Sequence, residues 1–192
     1  MVISLRTYLI LLAAFVVERI HELSIARRNA RRAFAEGAIE VGRAHYRAMV
    51  VMHTLFIASC VFEAVFFPRQ VAPIVSWLAL GAAFLAQAIR YWARTSLGDR
   101  WNTRIIVLPG APPVSHGPYR FMRHPNYLAV IIEMAAVPMV GGAIVTAAVF
   151  TIANAIILAV RIPAEERAMG ELYAGAFAGE RRFIPRIRHD RA

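Results

Sequence analysis

Residues 127–160 constrain this chain more than any other stretch: thirty-four residues in which Glu133 is the sole acidic or basic side chain. As one straight α-helix the run would be about 50 Å long, well beyond the ~30 Å hydrocarbon core of a bilayer. Pro138, Gly141 and Gly142 lie in its middle. The run therefore reads as two short antiparallel spans, about 127–140 and 143–160, joined by a tight turn. The whole chain agrees, with 59% hydrophobic residues and a mean hydropathy of +0.53. A soluble domain carries ~45–50% apolar residues.

Three more apolar segments precede this pair, at about 3–25, 48–67 and 71–92. The expected fold is an all-α integral membrane protein with about five transmembrane helices in one domain, 1–192. Met1 to Ile25 has acidic residues in its second half and lacks the basic start and small-residue exit of a cleaved signal, so it reads as a retained span. Glu18, His21 and Glu22 share one helical face, which has to meet protein or water. The plainer reading is a helix end at the headgroups with Arg19 snorkelling. Residues 26–47 read as that helix continued, a turn at Gly37, and Glu40 to Tyr46 leading into the second span. His53 and Glu63 are the polar exceptions of the second span, and Gln87 and Arg90 of the third. His53 receives no role from sequence.

All 22 basic residues are Arg, and the formal net charge is +10. Such a charge raises nucleic acid as a partner, but these Arg separate apolar runs, which favours anionic lipid headgroups instead. Six lie in 26–47, six in 90–123 and seven in 161–192, while Arg6 and Arg69 alone mark the other faces. The positive-inside rule then places the amino terminus outside and both the 90–126 loop and the tail in the cytoplasm. The single Cys60, within an apolar run, reads as a small hydrophobe. It excludes a disulfide framework and a thiolate zinc cluster, and no metal is expected.

The connection 93–126 is long, and long loops rich in aromatics and prolines are functional more often than idle. Arg104 to Leu108 reads as a short extended segment and Pro109-Gly110 as a turn. Trp101-Asn102-Thr103-Arg104 reads as an acceptor entrance or as an interfacial Trp anchor. The connection ends in His116-Gly117-Pro118-Tyr119-Arg120-Phe121-Met122-Arg123-His124-Pro125-Asn126-Tyr127. Two prolines fix φ and push Gly117 and His124 out of the helical region, giving a shaped turn at the mouth of a span. The alternative is a juxtamembrane loop anchored by Arg and Tyr. The predicted topology brings Arg161-Ile162-Pro163-Ala164-Glu165-Glu166-Arg167 to the same side. Adjacent Glu165 and Glu166 point differently on a helix, so they suit different tasks rather than one dyad. Their plainer role is helix-start chemistry just after Pro163.

His116-Gly117-Pro118-Tyr119, Arg123-His124-Pro125-Asn126-Tyr127, Glu165-Glu166 and a tail carrying Phe183-Ile184-Pro185 resemble the isoprenylcysteine carboxyl methyltransferase family, with its related phospholipid methyltransferases. Glu18-Arg19-Ile20-His21-Glu22-Leu23, Arg28-Asn29 and His45-Tyr46 resemble a bacterial branch linked to O-methylation of alkylpyrone products of type III polyketide synthases. The resemblance implies a membrane enzyme, in a bacterial inner membrane, that takes S-adenosylmethionine without a Rossmann domain. The sequence indeed has no G-x-G-x-x-G between a strand and a helix. It implies a cytoplasmic cofactor pocket built from about 93–192, with Arg123 and Glu166 as catalytic residues. His116, Gly117, Tyr119, Arg123, His124, Pro125, Tyr127, Glu165 and Glu166 would bind the cofactor. Arg123, with His116 or His124, suits the carboxylate of S-adenosylmethionine. Glu165 or Glu166 suits its ammonium or ribose, and Tyr119 and Tyr127 its adenine or sulfonium. The implied acceptor is a lipophilic small molecule entering between spans.

Arg123-His124-Pro125-Asn126-Tyr127 also resembles the closing motif of NADPH-dependent sterol and steroid reductases, in which Arg120 and Arg123 would serve cofactor phosphates. The His116-Gly117-Pro118-Tyr119 lead-in and Glu165-Glu166 fit the methyltransferases better. A non-enzymatic scaffold that binds anionic lipids would explain the charge but not the shaped turn.

Overall fold

A computed structural model describes residues 3–184. Pro185 of the expected tail motif lies outside them. Five α-helices form among the described residues: α1 Leu5–Ala35, α2 Arg43–Phe66, α3 Pro73–Leu97, α4 Pro125–Val140 and α5 Ile144–Ala176. Each overlaps one of the five apolar segments of the sequence. Three helices, Arg43–Phe66, Pro73–Arg100 and Ile144–Ala176, are long and apolar enough to cross a membrane. The apolar α4 has 16 residues. In α1 the charged pair Glu18-Arg19 and Glu22 interrupts the apolar sequence.

The helices wear their large apolar side chains outside. Leu55, Trp77, Leu78, Phe84, Ile152 and Ile156 are all more than half exposed. That is the surface of a protein solvated by lipid chains. Inside, Met52, Phe56, Cys60, Ala64, Met134 and Val137 pack with Tyr8 and Leu12 of α1. Close approach is sharpest at the α4–α5 turn. A Cβ on Gly141 would sit 2.3 Å from the Tyr8 ring, so only glycine lets α1 lie against this turn.

The expected extended segment exists as β2 (Ile105–Val107). Its partner was not foreseen: β1 (Ile39–Val41) pairs antiparallel with it, Glu40 opposite Ile106. The β-branched Ile and Val at these positions suit a strand. The pair fastens the long connection to the α1–α2 corner.

One expectation is overturned at Pro163. The plainer alternative for Glu165 and Glu166 starts a helix there, but α5 runs through Pro163 without a break and kinks later, at Gly170 (φ 71°). Glu165 and Glu166 are therefore mid-helix, far from any N-terminal dipole end, and their role has to come from what they touch.

Candidate functional site

The shaped turn is built as the sequence suggests. Gly117–Arg120 makes a 3₁₀ turn, and Pro125 occupies the first turn of α4, where its missing N–H costs nothing. Gly117 has φ +60°, and a Cβ there would lie 2.0 Å from Ser96 Oγ of α3. The glycine thus seats the turn on α3. Pro118 and Tyr119 are buried, and Tyr119 packs with Ala93, Tyr173 and Phe177. Burial pushes the Tyr119 phenol well above its usual range, so it stays protonated. His116 stands exposed at the start of the turn.

The rest of the turn is tied to the chain's last described residues. Arg123 N donates to Arg181 O and His124 N to Arg182 O, both at 3.0 Å. The side chains converge on Glu166 of α5. Its carboxylate lies 3.0 Å from His124 Nε2 and 3.3 Å from Arg123 Nη1, and accepts from Arg182 Nη2 at 2.6 Å. Those bonds hold the Arg182 guanidinium still more firmly protonated. Glu166 therefore joins three segments: the turn, α5 and the stretch after it.

Glu165, one residue earlier, turns elsewhere. It accepts from the Tyr127 hydroxyl, which itself accepts from Arg161 Nε at 2.9 Å. Arg161 Nη2 donates to Thr103 O at 2.7 Å. The His124 ring stacks on Tyr127 with centroids 5.3 Å apart. Arg161 and Tyr173 are buried in this group, and the sequence reading assigned neither a role. Arg161 was visible as the first charge after the apolar run, but it looked like the start of a solvated tail.

A cavity of about 1070 Å³ opens beside these residues. Tyr119, Arg123, His124, Tyr127, Glu165 and Arg161 form its polar wall. Glu166 sits behind that wall, and among the described residues His116, Gly117 and Pro125 are not on it. Arg123 Nε and Arg161 Nη1 are buried with no hydrogen-bond partner among the described residues. Trp101 is buried on the same cavity, so the interfacial-anchor reading of that residue is corrected. Asn29 holds the Trp101 carbonyl at 3.0 Å.

The far end of the cavity reaches a second polar network between α1, α3 and α4. Arg90 forms a bidentate pair with Glu133 and donates to Asn126 Oδ1 at 3.1 Å, linking the network to the turn. Arg19 Nη1 meets Glu22 at 3.0 Å, and Arg19 Nη2 donates to Gln87 at 2.8 Å. The snorkelling expected of Arg19 is thus corrected: it points inward, where charges find partners. His21 also departs from the expected shared face and is exposed.

Helices clad in apolar side chains, with a polar-walled cavity at one end, define a helical membrane protein built around a ligand site. Residues 77–171, from α3 to the far part of α5, match the isoprenylcysteine carboxyl methyltransferase (ICMT) family. The chain is 43% identical over 163 residues to the uncharacterized protein YpbQ of Bacillus subtilis (strain 168), covering 84% of this chain and 96% of that protein. It is 30% identical over 164 residues to an uncharacterized protein of Haemophilus influenzae, covering 84% of this chain and 94% of the other. The chain belongs to the ICMT family, a family of membrane methyltransferases.

Proposed function

We propose that the protein transfers a methyl group from S-adenosylmethionine to an oxygen of a lipophilic acceptor, an alkylpyrone-type enol or a related carboxylate, at the cytoplasmic face of a bacterial inner membrane. The observation that carries this reading is the pair of unpartnered buried guanidinium donors, Arg123 Nε and Arg161 Nη1, on the same cavity wall as Glu165. Buried donors without acceptors are costly, and an incoming carboxylate relieves both. Glu165 offers an oxygen to an ammonium, and Tyr119, Tyr127 and Tyr173 offer aromatic faces. An amino-acid moiety carries these two charges together.

When bound, S-adenosylmethionine supplies an electrophilic methyl group. The chain's own work is to position and to exclude water. Tyr127 keeps Glu165 and Arg161 at a fixed separation through its hydroxyl. Glu166 acts as a positioning residue, because it holds Arg123 and His124 in place from behind the wall. Orientation of this kind supplies most of the rate when the acceptor oxygen is already acidic. In this reading all five helices cross the bilayer, and the Arg-rich faces meet anionic lipids.

Arg123→Ala tests the reading directly. It lowers S-adenosylmethionine affinity about tenfold, the worth of one charge-assisted bond. Unchanged affinity would remove Arg123 from the site.

A further inference from the structure

The second polar network leaves some of its groups without a hydrogen bond. Glu22 is 3% exposed and lines the cavity; its Oε1 accepts no hydrogen bond among the described residues and has only a 4.0 Å ion-pair contact with Arg94 Nη1. Arg19 lines the cavity too, and its Nε is buried without a partner. His53 of α2 joins the same lining. Its Nδ1 lies 2.9 Å from Met49 O, and a carbonyl can only accept. Nδ1 therefore carries the proton and Nε2 keeps its lone pair. Around these groups the lining is apolar: Phe15, Phe56, Ile57, Val130 and Leu158.

We propose that the Arg19–Glu22–His53 corner binds the hydroxyl-bearing head of an apolar ligand, an enol or a phenol, whose chain lies along the apolar lining. This rests on the methyltransferase reading for the ligand's role as acceptor, and it selects among the acceptors that reading allows. A hydroxyl is the head that satisfies both kinds of group, donating to Glu22 Oε1 or His53 Nε2 and accepting from Arg19 Nε. A carboxylate has no proton for either acceptor and sets a second negative charge beside Glu22. An ammonium satisfies Glu22 but leaves Arg19 Nε bare and adds a cation beside Arg19 and Arg90. The corner is joined to the methyl-donor wall through Arg90, which lies 3.7 Å from Glu22 Oε2 and bonds Asn126 beside Tyr127. The head and the proposed donor site thus share one cavity.

The test is equilibrium binding of 4-dodecylphenol, its methyl ether, dodecanoate and dodecylamine to the full chain in lipid nanodiscs, with empty nanodiscs subtracted. The phenol binds about tenfold tighter than its ether, since the ether has lost the donated bond to a charged acceptor. Glu22→Gln and, separately, His53→Phe each reduce that preference several-fold, while S-adenosylmethionine affinity stays at the wild-type value and reports an intact fold. Two variants are used because Glu22→Gln also alters the pairing of Arg19. Equal binding of phenol and ether, preference for dodecanoate or dodecylamine, or full phenol preference in both variants overturns the proposal. Wild-type protein that prefers the phenol but does not bind S-adenosylmethionine would sink the methyltransferase reading and leave this site standing.

Discussion

Glu166→Gln separates a positioning role from a bystander's. The side chain is 15% exposed and accepts from His124, Arg123 and Arg182. The His124 contact is the least exposed of the three and contributes about 1.5 kcal/mol, as bonds to charged groups do. Arg182 is 43% exposed and Arg123 29%, so each pair is discounted to roughly 0.5 kcal/mol. Removing the carboxylate charge while keeping the amide's shape forfeits most of that total, about 2 kcal/mol across the three-way junction; the Arg182 share, roughly 0.5 kcal/mol or about twofold, is what docks the 181–184 stretch directly. Two assays read it. Trypsin cleaves after Arg181 and Arg182, whose carbonyls are engaged by the backbone of the turn, so cleavage there accelerates when docking weakens. S-adenosylmethionine affinity falls in parallel, because only the docked fraction holds Arg123 and His124 in place. Wild-type trypsin resistance together with wild-type affinity would refute the argument that Glu166 joins the three segments.

Two further outcomes concern the frame. Glu63 of α2 caps α5 from a distance, accepting from Val145 N at 3.0 Å and from Thr146 N and Oγ1 at 2.7 Å. Glu63→Ala costs about 3 kcal/mol and lowers the melting temperature by roughly 9 °C. The sole thiol, Cys60, is buried and reports the melt through a thiol-reactive dye; an unchanged midpoint would remove the cap. In a Cys60→Ala background, Gln70→Cys is labelled from outside the cell and Ala174→Cys from the cytoplasm, as the Arg distribution requires. Labelling of both from one side would overturn the proposed topology.

The apolar segments and their breaks were legible because lipid imposes one rule everywhere: backbone groups must be satisfied within the segment. Pro138 with Gly141-Gly142 therefore announced the α4–α5 turn correctly. Pro163 misled, since the same residue type inside an otherwise apolar helix is carried through, and the bend appears at Gly170. The 116–127 turn was legible from its prolines and its density of Arg, His and Tyr. What it touches was not. Local spacing said only that Glu165 and Glu166 diverge, whereas their partners Tyr127, His124 and Arg182 depend on how α5 packs against the turn. Gly117 shows the reverse case, in which a motif neighbour serves the turn's seating on α3 rather than the cavity wall, and His116 is exposed off that wall. The Arg19–Glu22–Arg90–Glu133 network joins residues more than a hundred positions apart, and no window along the chain contains it.

The central claim is that the polar wall around Arg123, Arg161 and Glu165 receives S-adenosylmethionine. Calorimetric titration of the detergent-purified full chain with S-adenosylmethionine, and separately with NADPH, tests it most directly. The account predicts saturable binding of S-adenosylmethionine and none of NADPH. Saturable binding of NADPH alone would contradict it and turn the same guanidinium groups into phosphate ligands, and binding of neither would leave a membrane helix bundle without the proposed chemistry.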